Sequence, residues 1–126
     1  MNNDINKTLE KTKKQLRRGV LELCVLSIIS EKAAYPSDII VKLEEAKMIV
    51  VEGTLYPLLT RLKNDDLLAY NWQESNSGPP RKYYHLTEKG IDFLSQLKNA
   101  WDELLVGVSI STNHLKNPEN DLSIIN

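Results

Sequence analysis

The fold class is decided by residues 53–62, GTLYPLLTRL. Four leucines in this stretch recur at positions i, i+3, i+4 and i+7, the period of a helix that buries one face. These leucines are Leu55, Leu58, Leu59 and Leu62. Pro57 is tolerated only in the first turn of a helix, so this helix is predicted to begin at about Gly53 or Thr54 and to run to about Asp65. Its face away from the leucines is polar and cationic.

Two helices are predicted before this one. The first runs from about Ile5 to Ser30, because apolar residues recur there at steps of three, four or seven and no proline interrupts them. Its second half is apolar nearly all round, which is typical of a helix at the centre of a core or at a subunit interface. Pro36 suits the first turn of a second helix. The buried face of that helix is predicted to comprise Ile39, Ile40 and Leu43.

A β-hairpin and a long helix are predicted after residue 65. Apolar and polar residues alternate over 68–73 and again over 83–86, with turn formers between them. Trp72 is interpreted as a core residue rather than a ligand contact. Thr87 is a predicted N-cap for the final helix. A heptad seam follows, which predicts a partner helix. The seam consists of Leu94, Leu97, Trp101, Leu104 and Val108.

The composition limits the possible functions. With 126 residues, 41% of them hydrophobic and 26% charged, the chain is expected to fold as one domain. Cys24 is the single cysteine, so it cannot form a disulfide within the chain, and with only two histidines there are too few ligands to predict a metal site. Cys24 is interpreted as a core residue, with a reactive thiol as the alternative. No catalytic triad or glycine-rich phosphate loop is present, so no catalytic residue, cofactor or enzyme activity is expected. The longest apolar run, residues 23–29, is too short to cross a bilayer, and the protein is expected to be cytoplasmic without membrane contact.

Basic residues are concentrated in one segment. The net charge is only −1, yet six of the sixteen basic residues fall in the first eighteen positions, against two acidic residues there. For binding to nucleic acid, the distribution of charge matters more than its sum. The N-terminal segment is therefore predicted to carry a local positive charge that could contact DNA. The alternative is that its lysines only keep the segment soluble.

The order of the elements is that of a winged helix-turn-helix with an appended dimerisation helix, a mainly α fold with a two-stranded β-hairpin. The third helix of such a fold enters the major groove, and the hairpin reaches the backbone or the minor groove. Residues 1–86 are assigned to a DNA-binding domain with a basic N-terminal helix, 87–112 to the dimerisation helix and 113–126 to a flexible tail. The predicted DNA contacts are Lys14, Arg18, Thr54, Tyr56, Thr60, Arg61, Lys63, Arg81 and Lys82.

Each of these residues has a plainer interpretation when taken alone. An arginine or lysine on an exposed helix face is more often simply solvated, so the prediction depends on the co-occurrence of all the parts in the right order. The rival hypothesis is a winged-helix module that binds a protein partner and has no specific DNA binding.

Three segments of the chain resemble the PadR family of bacterial transcriptional regulators. They are RGVLEL at 18–23, GTLYPLLTRL at 53–62 and GPPRKYYHLTEKG at 78–90, and the similarity spans roughly Arg17 to Trp101. The resemblance implies a homodimer that represses its own or a neighbouring operon from a palindromic double-stranded DNA operator, with the fourth helix crossing the partner's first. The dimer interface is expected to comprise Leu9, Leu16, Leu94, Leu97, Trp101, Leu104 and Val108.

The resemblance also implies a possible small-molecule effector. In a small, LmrR-like subgroup, flat aromatic or cationic compounds bind between tryptophans at the dimer interface, and Trp101 matches the position of that tryptophan. Trp101 is therefore the predicted ligand-binding residue for an aromatic effector, and Asp102 and Glu103 beside it suit a cationic one. Plain packing is the alternative role of this ring.

Two positions depart from the family pattern. Pro36 follows Tyr35 where the family usually has glycine, which is expected to alter the entry to the second helix. Asp66 stands where a glycine usually ends the third helix. That turn therefore needs a different cap or a left-handed Asp66, a conformation that aspartate tolerates.

Overall fold

The structure is a computed structural model that describes residues 2–115. Its elements are α1 (Asn2–Glu31), α2 (Pro36–Glu45), α3 (Glu52–Asn64), β1 (Leu68–Ser75), β2 (Gly78–Leu86) and α4 (Glu88–Ser111). The expected mainly helical fold with an antiparallel two-stranded hairpin is confirmed. Most of the predicted flexible tail, from position 116 on, lies outside the described residues. Within residues 2–115, no helix is both long enough and apolar enough to span a membrane.

The chain divides into two compact units, Met1–Ser95 and Gln96–Asn126. The core of the first unit is aliphatic and comes from three helices and the start of β1. Its buried side chains include Val25, Leu26, Ile29, Ile39, Leu43, Leu55, Leu59, Leu62, Leu67 and Leu68. The predicted leucine stripe of α3 is therefore buried, except that Leu58 is half-buried. Because each buried leucine stabilises the fold by roughly 1.5–3 kcal/mol, this stripe fixes which face of α3 points outward.

The helices α2 and α3 end in the same way. Lys47 and Asp66 both have a φ of 63°, and the residue after each bonds back into the last turn of its helix. The N–H of Met48 donates to the carbonyl of Leu43 at 2.8 Å, and the N–H of Leu67 donates to the carbonyl of Leu62 at 2.9 Å. This is the Schellman arrangement. Of the two alternatives expected for the turn after α3, a different cap or a left-handed Asp66, the structure has the left-handed Asp66.

The start of α3 differs from the prediction. The helix begins at Glu52, after Val51 as N-cap, so Pro57 lies in the second turn rather than the first. The carbonyl of Val51 accepts the N–H groups of both Thr54 and Leu55 at 3.0 Å, so a full turn is closed ahead of the proline. Pro57 has no N–H to donate to the carbonyl of Gly53. The error came from treating the proline as a marker of the helix start.

The hairpin of residues 68–86, here called the wing, is attached to the helices at its base. Tyr84 exchanges two backbone hydrogen bonds with Ala34, of 2.8 and 3.0 Å, and its side chain is buried. Trp72 lies further along β1, opposite Lys82 on β2. The prediction that Trp72 is a core residue is wrong, because its side chain is 60% exposed. The alternating pattern predicted the strand correctly, but exposure increases along β1, where Leu68 is buried and residues 71–74 are exposed.

The junction between α3 and α4 is tightly packed. The hydroxyl of Thr87 accepts the N–H of Gly90 at 2.9 Å, which confirms the predicted N-cap, and donates to the carbonyl of Asp66 at 2.6 Å. A Cβ atom on Gly90 would lie 2.0 Å from the carbonyl oxygen of Leu67. Only glycine fits at this position without a backbone shift.

Cys24 is half-buried in α1, with its Sγ 3.6 Å from the Sδ of Met48. Burial raises the pKa of the Cys24 thiol above its ordinary value. Because the thiolate is the reactive form, this environment favours the interpretation as a packing residue over that as a reactive thiol.

Candidate nucleic-acid interface

The predicted contact residues of α3 point in three directions. Successive residues of a helix are turned by ~100°, so Thr60 lies on the side of α3 away from the buried leucines. Tyr56 and Lys63 lie on one flank of this outward face, and Thr54 and Arg61 lie on the other. All five side chains are exposed. The two flanks of α3 therefore border different parts of the molecule: the wing on the Tyr56 side and α1 on the Thr54 side.

A cleft of about 440 Å³, here called the wing cleft, is formed by α3, the wing and the start of α2. It is lined by Tyr35, Pro36, Ser37, Tyr56, Thr60, Trp72, Arg81, Lys82 and Tyr84. Four of the predicted DNA contacts, from two separate elements, come together here. No carboxylate is among these lining residues. The cleft therefore combines aromatic walls with positive charge.

The two cations of the wing cleft are held against aromatic rings. The guanidinium carbon of Arg81 lies 3.9 Å from the centroid of the Tyr35 ring. The ammonium nitrogen of Lys82 lies 4.7 Å from the centroid of Tyr70 and 5.5 Å from that of Trp72. Such contacts contribute ~0.5–1 kcal/mol at exposed sites. They position both cations without neutralising them.

A second cleft of about 380 Å³, here called the arm cleft, lies between α1 and the start of α3. Its lining residues are Lys14, Arg17, Arg18, Leu21, Met48, Ile49, Val50, Val51 and Thr54. Three predicted contacts, Lys14, Arg18 and Thr54, meet here, again with no carboxylate in the lining. Arg17 was not among the predicted contacts. Its place beside Arg18 in the basic N-terminal segment was the available signal.

Arg61 lies outside both clefts. Its guanidinium is 3.2 Å from a carboxylate oxygen of Glu22 on α1 and 3.7 Å from one of Asp65 on its own helix. The Arg61 side chain is 53% exposed, so each pair stabilises the fold by at most ~1 kcal/mol. Lys63 is exposed and also lines neither cleft. The structure therefore brings together seven of the nine predicted contacts and leaves Arg61 and Lys63 apart.

The second unit carries the predicted ligand-binding residue. Trp101 is half-buried on α4, and the carboxylate of its neighbour Asp102 pairs with the ammonium of Lys98 at 2.6 Å. This pair offsets part of the negative charge expected to attract a cationic compound. Further along the same helix, Leu104 and Val108 of the predicted seam are 58% and 50% exposed.

Comparison with known proteins identifies the family. Residues 25–96 match the transcriptional regulator PadR-like family. A PadR-like transcription factor from Bacteroides fragilis is 57% identical, with 84% of this chain and 99% of that chain covered and a TM-score of 0.68. A PadR family transcriptional regulator from Eggerthella lenta DSM 2243 is 31% identical, with 90% and 98% covered and a TM-score of 0.81. An uncharacterised protein of Lysinibacillus sphaericus is 30% identical over 90 residues, which are 69% of this chain and 83% of that protein. The chain belongs to the PadR-like family of transcriptional regulators.

Proposed function

We propose that the protein is a transcriptional repressor that binds a palindromic double-stranded DNA operator as a homodimer. The observation that carries this proposal is the gathering of seven of the nine predicted DNA contacts into two clefts, on either side of the outward face of α3. Although the chain as a whole is slightly acidic, five cations and no carboxylate line these clefts. The cations are Lys14, Arg17, Arg18, Arg81 and Lys82.

The arrangement suits a duplex with α3 in the major groove. Thr60 would then meet base edges, while the cations of the wing cleft and of the arm cleft would meet phosphates on either side. In this proposal residues 1–86 form the DNA-binding domain and residues 87–112 form the dimerisation helix. Arg61 joins the interface only if its ion pairs with Glu22 and Asp65 open on binding.

Exposed apolar residues on both helices of the expected interface support the homodimer. Leu9 and Leu16 on α1 are 47% and 68% exposed, and on α4 the seam residues Leu104 and Val108 are at least half exposed. Burying one such side chain fully is worth about 1.5–3 kcal/mol, so a second copy that covers them gains several kcal/mol. Two-fold symmetry of the dimer in turn requires a palindromic operator.

An effector site is the finer part of the proposal. An aromatic or cationic compound bound beside Trp101 at the dimer interface would release the repressor from DNA. The half-buried indole of Trp101 supports such a site. A cytoplasmic location follows from the proposed role on DNA.

The test is a salt titration of binding to DNA upstream of the protein's own gene. Each phosphate neutralised contributes ~0.9 to the slope of log affinity against log salt. Ten cations per dimer set an upper limit of ~9, and a slope of at least ~4 is expected.

A matched pair of variants sharpens the test. Lys14→Gln is expected to lower the slope by about 2, one phosphate in each subunit, and to weaken all sequences equally. The control is Lys42→Gln, which removes an exposed cation of α2 that lines neither cleft. Binding that is indifferent to salt, or equal effects of the two variants, would contradict the proposal. A module that binds only protein would give no footprint on this DNA.

A further inference from the structure

We infer that the wing cleft binds one nucleotide whose base is not stacked within a duplex, with the base against Trp72 and the phosphate against Arg81 and Lys82. This inference rests on the proposed function, because DNA binding would bring a strand to the rim of the cleft. Contacts to phosphate alone require cations and hydrogen-bond donors. They give no reason for four aromatic rings to line the same cleft.

The first step concerns the aromatic walls. Trp72 and Tyr56 line the cleft from β1 and α3, and their side chains are 60% and 46% exposed. The Trp72 ring is braced edge to face by Tyr70, with a centroid distance of 5.7 Å and an interplanar angle of 88°. A braced ring with most of its surface in water is suited to stack on a planar group. Base stacking on aromatic side chains tolerates any sequence, since every base has a π-face.

The second step concerns the charge. Lys82 is the direct cross-strand partner of Trp72, so its ammonium group lies beside the indole, 5.5 Å from the ring centroid. Arg81 reaches the same cleft from the Tyr35 side. The N–H of Tyr35, the N-cap residue of α2, is not available to the anion, because the carboxylate of Asp38 already accepts it at 3.0 Å. The phosphate is therefore assigned to the two cations of the wing.

The third step concerns size and polarity. A volume of about 440 Å³ falls within the ~300–1,000 Å³ that is usual for small-molecule sites. The hydroxyl groups of Ser37 and Thr60 lie in the lining, where they suit the polar edge of a base. Because no carboxylate lines the cleft, a cationic ligand has no counter-charge there, and a purely apolar ligand would leave both cations and both hydroxyls unused. A base that carries a phosphate uses all of these groups.

The chemistry does not depend on the source of the nucleotide. An unpaired nucleotide of a DNA strand and a free mononucleotide present the same base and phosphate. The experiment therefore titrates the full-length protein with short single-stranded oligothymidylate and with thymidine 5′-phosphate, and follows tryptophan fluorescence. Thymidine and inorganic phosphate are the controls, since each supplies only half of the ligand.

The expected result is quenching by the oligonucleotide or by the mononucleotide, with little effect of either control. Quenching by the mononucleotide identifies a free nucleotide as a sufficient source, whereas quenching by the oligonucleotide alone assigns the site to a strand. The Trp72→Phe variant removes the reporter and leaves Trp101, so quenching should disappear. By an anisotropy measurement with labelled oligonucleotide, Trp72→Ala should weaken binding by about 5- to 150-fold, and Trp72→Tyr should restore part of it. Lys82→Gln should also weaken binding, and Lys42→Gln should not.

Three results would overturn the inference. The first is the absence of quenching by both the oligonucleotide and the mononucleotide. The second is quenching that persists unchanged in Trp72→Phe, which would place the ligand near Trp101. The third is equal binding of inorganic phosphate and the nucleotide, which would show that the rings contribute nothing. The fate of the proposed function is read separately from the salt dependence of duplex binding. If the protein binds its duplex with the expected salt dependence but shows no quenching, only the nucleotide site in the wing cleft is refuted. If quenching occurs but duplex binding does not depend on salt, only the proposed repressor function is refuted.

Discussion

Replacing Gly90 by alanine tests the packing that joins the wing and α4 to the end of α3. A Cβ atom at this position would lie 2.0 Å from the carbonyl oxygen of Leu67, and also 3.0 Å from its carbonyl carbon. Ordinary contact begins at 3.4 Å, so helix or carbonyl must move by ~1.4 Å. Both are backbone, and neither can yield by a change of rotamer.

The cost of that movement follows from the hydrogen bonds it disturbs. The carbonyl of Leu67 accepts the N–H of Thr87 at 3.2 Å, and the hydroxyl of Thr87 caps α4 at the N–H of Gly90. Loss of the cap costs ~1 kcal/mol and overpacking costs ~1–3 kcal/mol, while alanine returns ~1 kcal/mol of helix propensity. Alanine at position 90 should therefore lower the free energy of unfolding by roughly 1–3 kcal/mol.

The assay is urea unfolding followed by circular dichroism. With a slope of ~2 kcal/mol per molar urea, the midpoint should fall by about 0.5–1.5 M. Gly107→Ala is the matched control on the same helix, because nothing lies within 4 Å of the added Cβ. That variant should gain up to ~1 kcal/mol from propensity alone. If Gly90→Ala unfolds at the same urea concentration as the parent or above it, the close approach to Leu67 is refuted.

Three further predictions concern the dimer, the turn after α3 and the base of the wing. Leu104→Glu should give monomers on size-exclusion chromatography, whereas Asn99→Glu, on the opposite side of the same helix, should leave the dimer intact; a dimer in both would refute the seam. Asp66→Gly should be more stable to heat than Asp66→Ala by about 1–2 kcal/mol, because φ at this position is 63°, and equal melting temperatures would contradict the strain argument. Burial, and then the nearby charges of Tyr70 and Tyr56 when ionised, raise the pKa of Tyr84 above its ordinary value of 10.0. Its contribution to stability is therefore complete below pH ~10 and is lost as the pH rises through the folded-state pKa, so the alkaline fall in melting temperature should be shallower in Tyr84→Phe.

Local sequence patterns were sufficient to predict those features whose geometry depends on residues close together in the sequence. The leucine period of α3 predicted its buried face, since a helix with a single apolar stripe has one way to face the core. Thr87 as N-cap and the left-handed Asp66 were also predictable, because caps and turns depend on a few adjacent residues. The start of α3 was missed because Pro57 was taken to mark the first turn, and Val51 has no capping side chain that would have marked the true start.

The candidate site was predictable as a set of residues but not as a surface. Charge and order along the chain pointed to the basic N-terminal segment, the outward face of α3 and the wing. The same signals could not separate Arg61, paired with Glu22 on α1, from Lys14 and Arg18, which lie in the arm cleft. These partners are far apart in sequence, and no periodicity within one helix records which side chains of another helix face it.

By itself, then, the amino-acid sequence determined the succession of elements, the buried stripe of α3, the N-cap of α4 and the turn after α3, because these follow from backbone preference and apolar spacing over a few residues. Only the tertiary structure decided that Trp72 stands in water rather than in the core, and that it shares one cleft with Tyr35, Tyr56 and Lys82. The physical reason is that exposure depends on what lies opposite a side chain in space. For Trp72 the neighbours across the wing cleft come from α3 and from the start of α2, and they leave 60% of its side chain exposed.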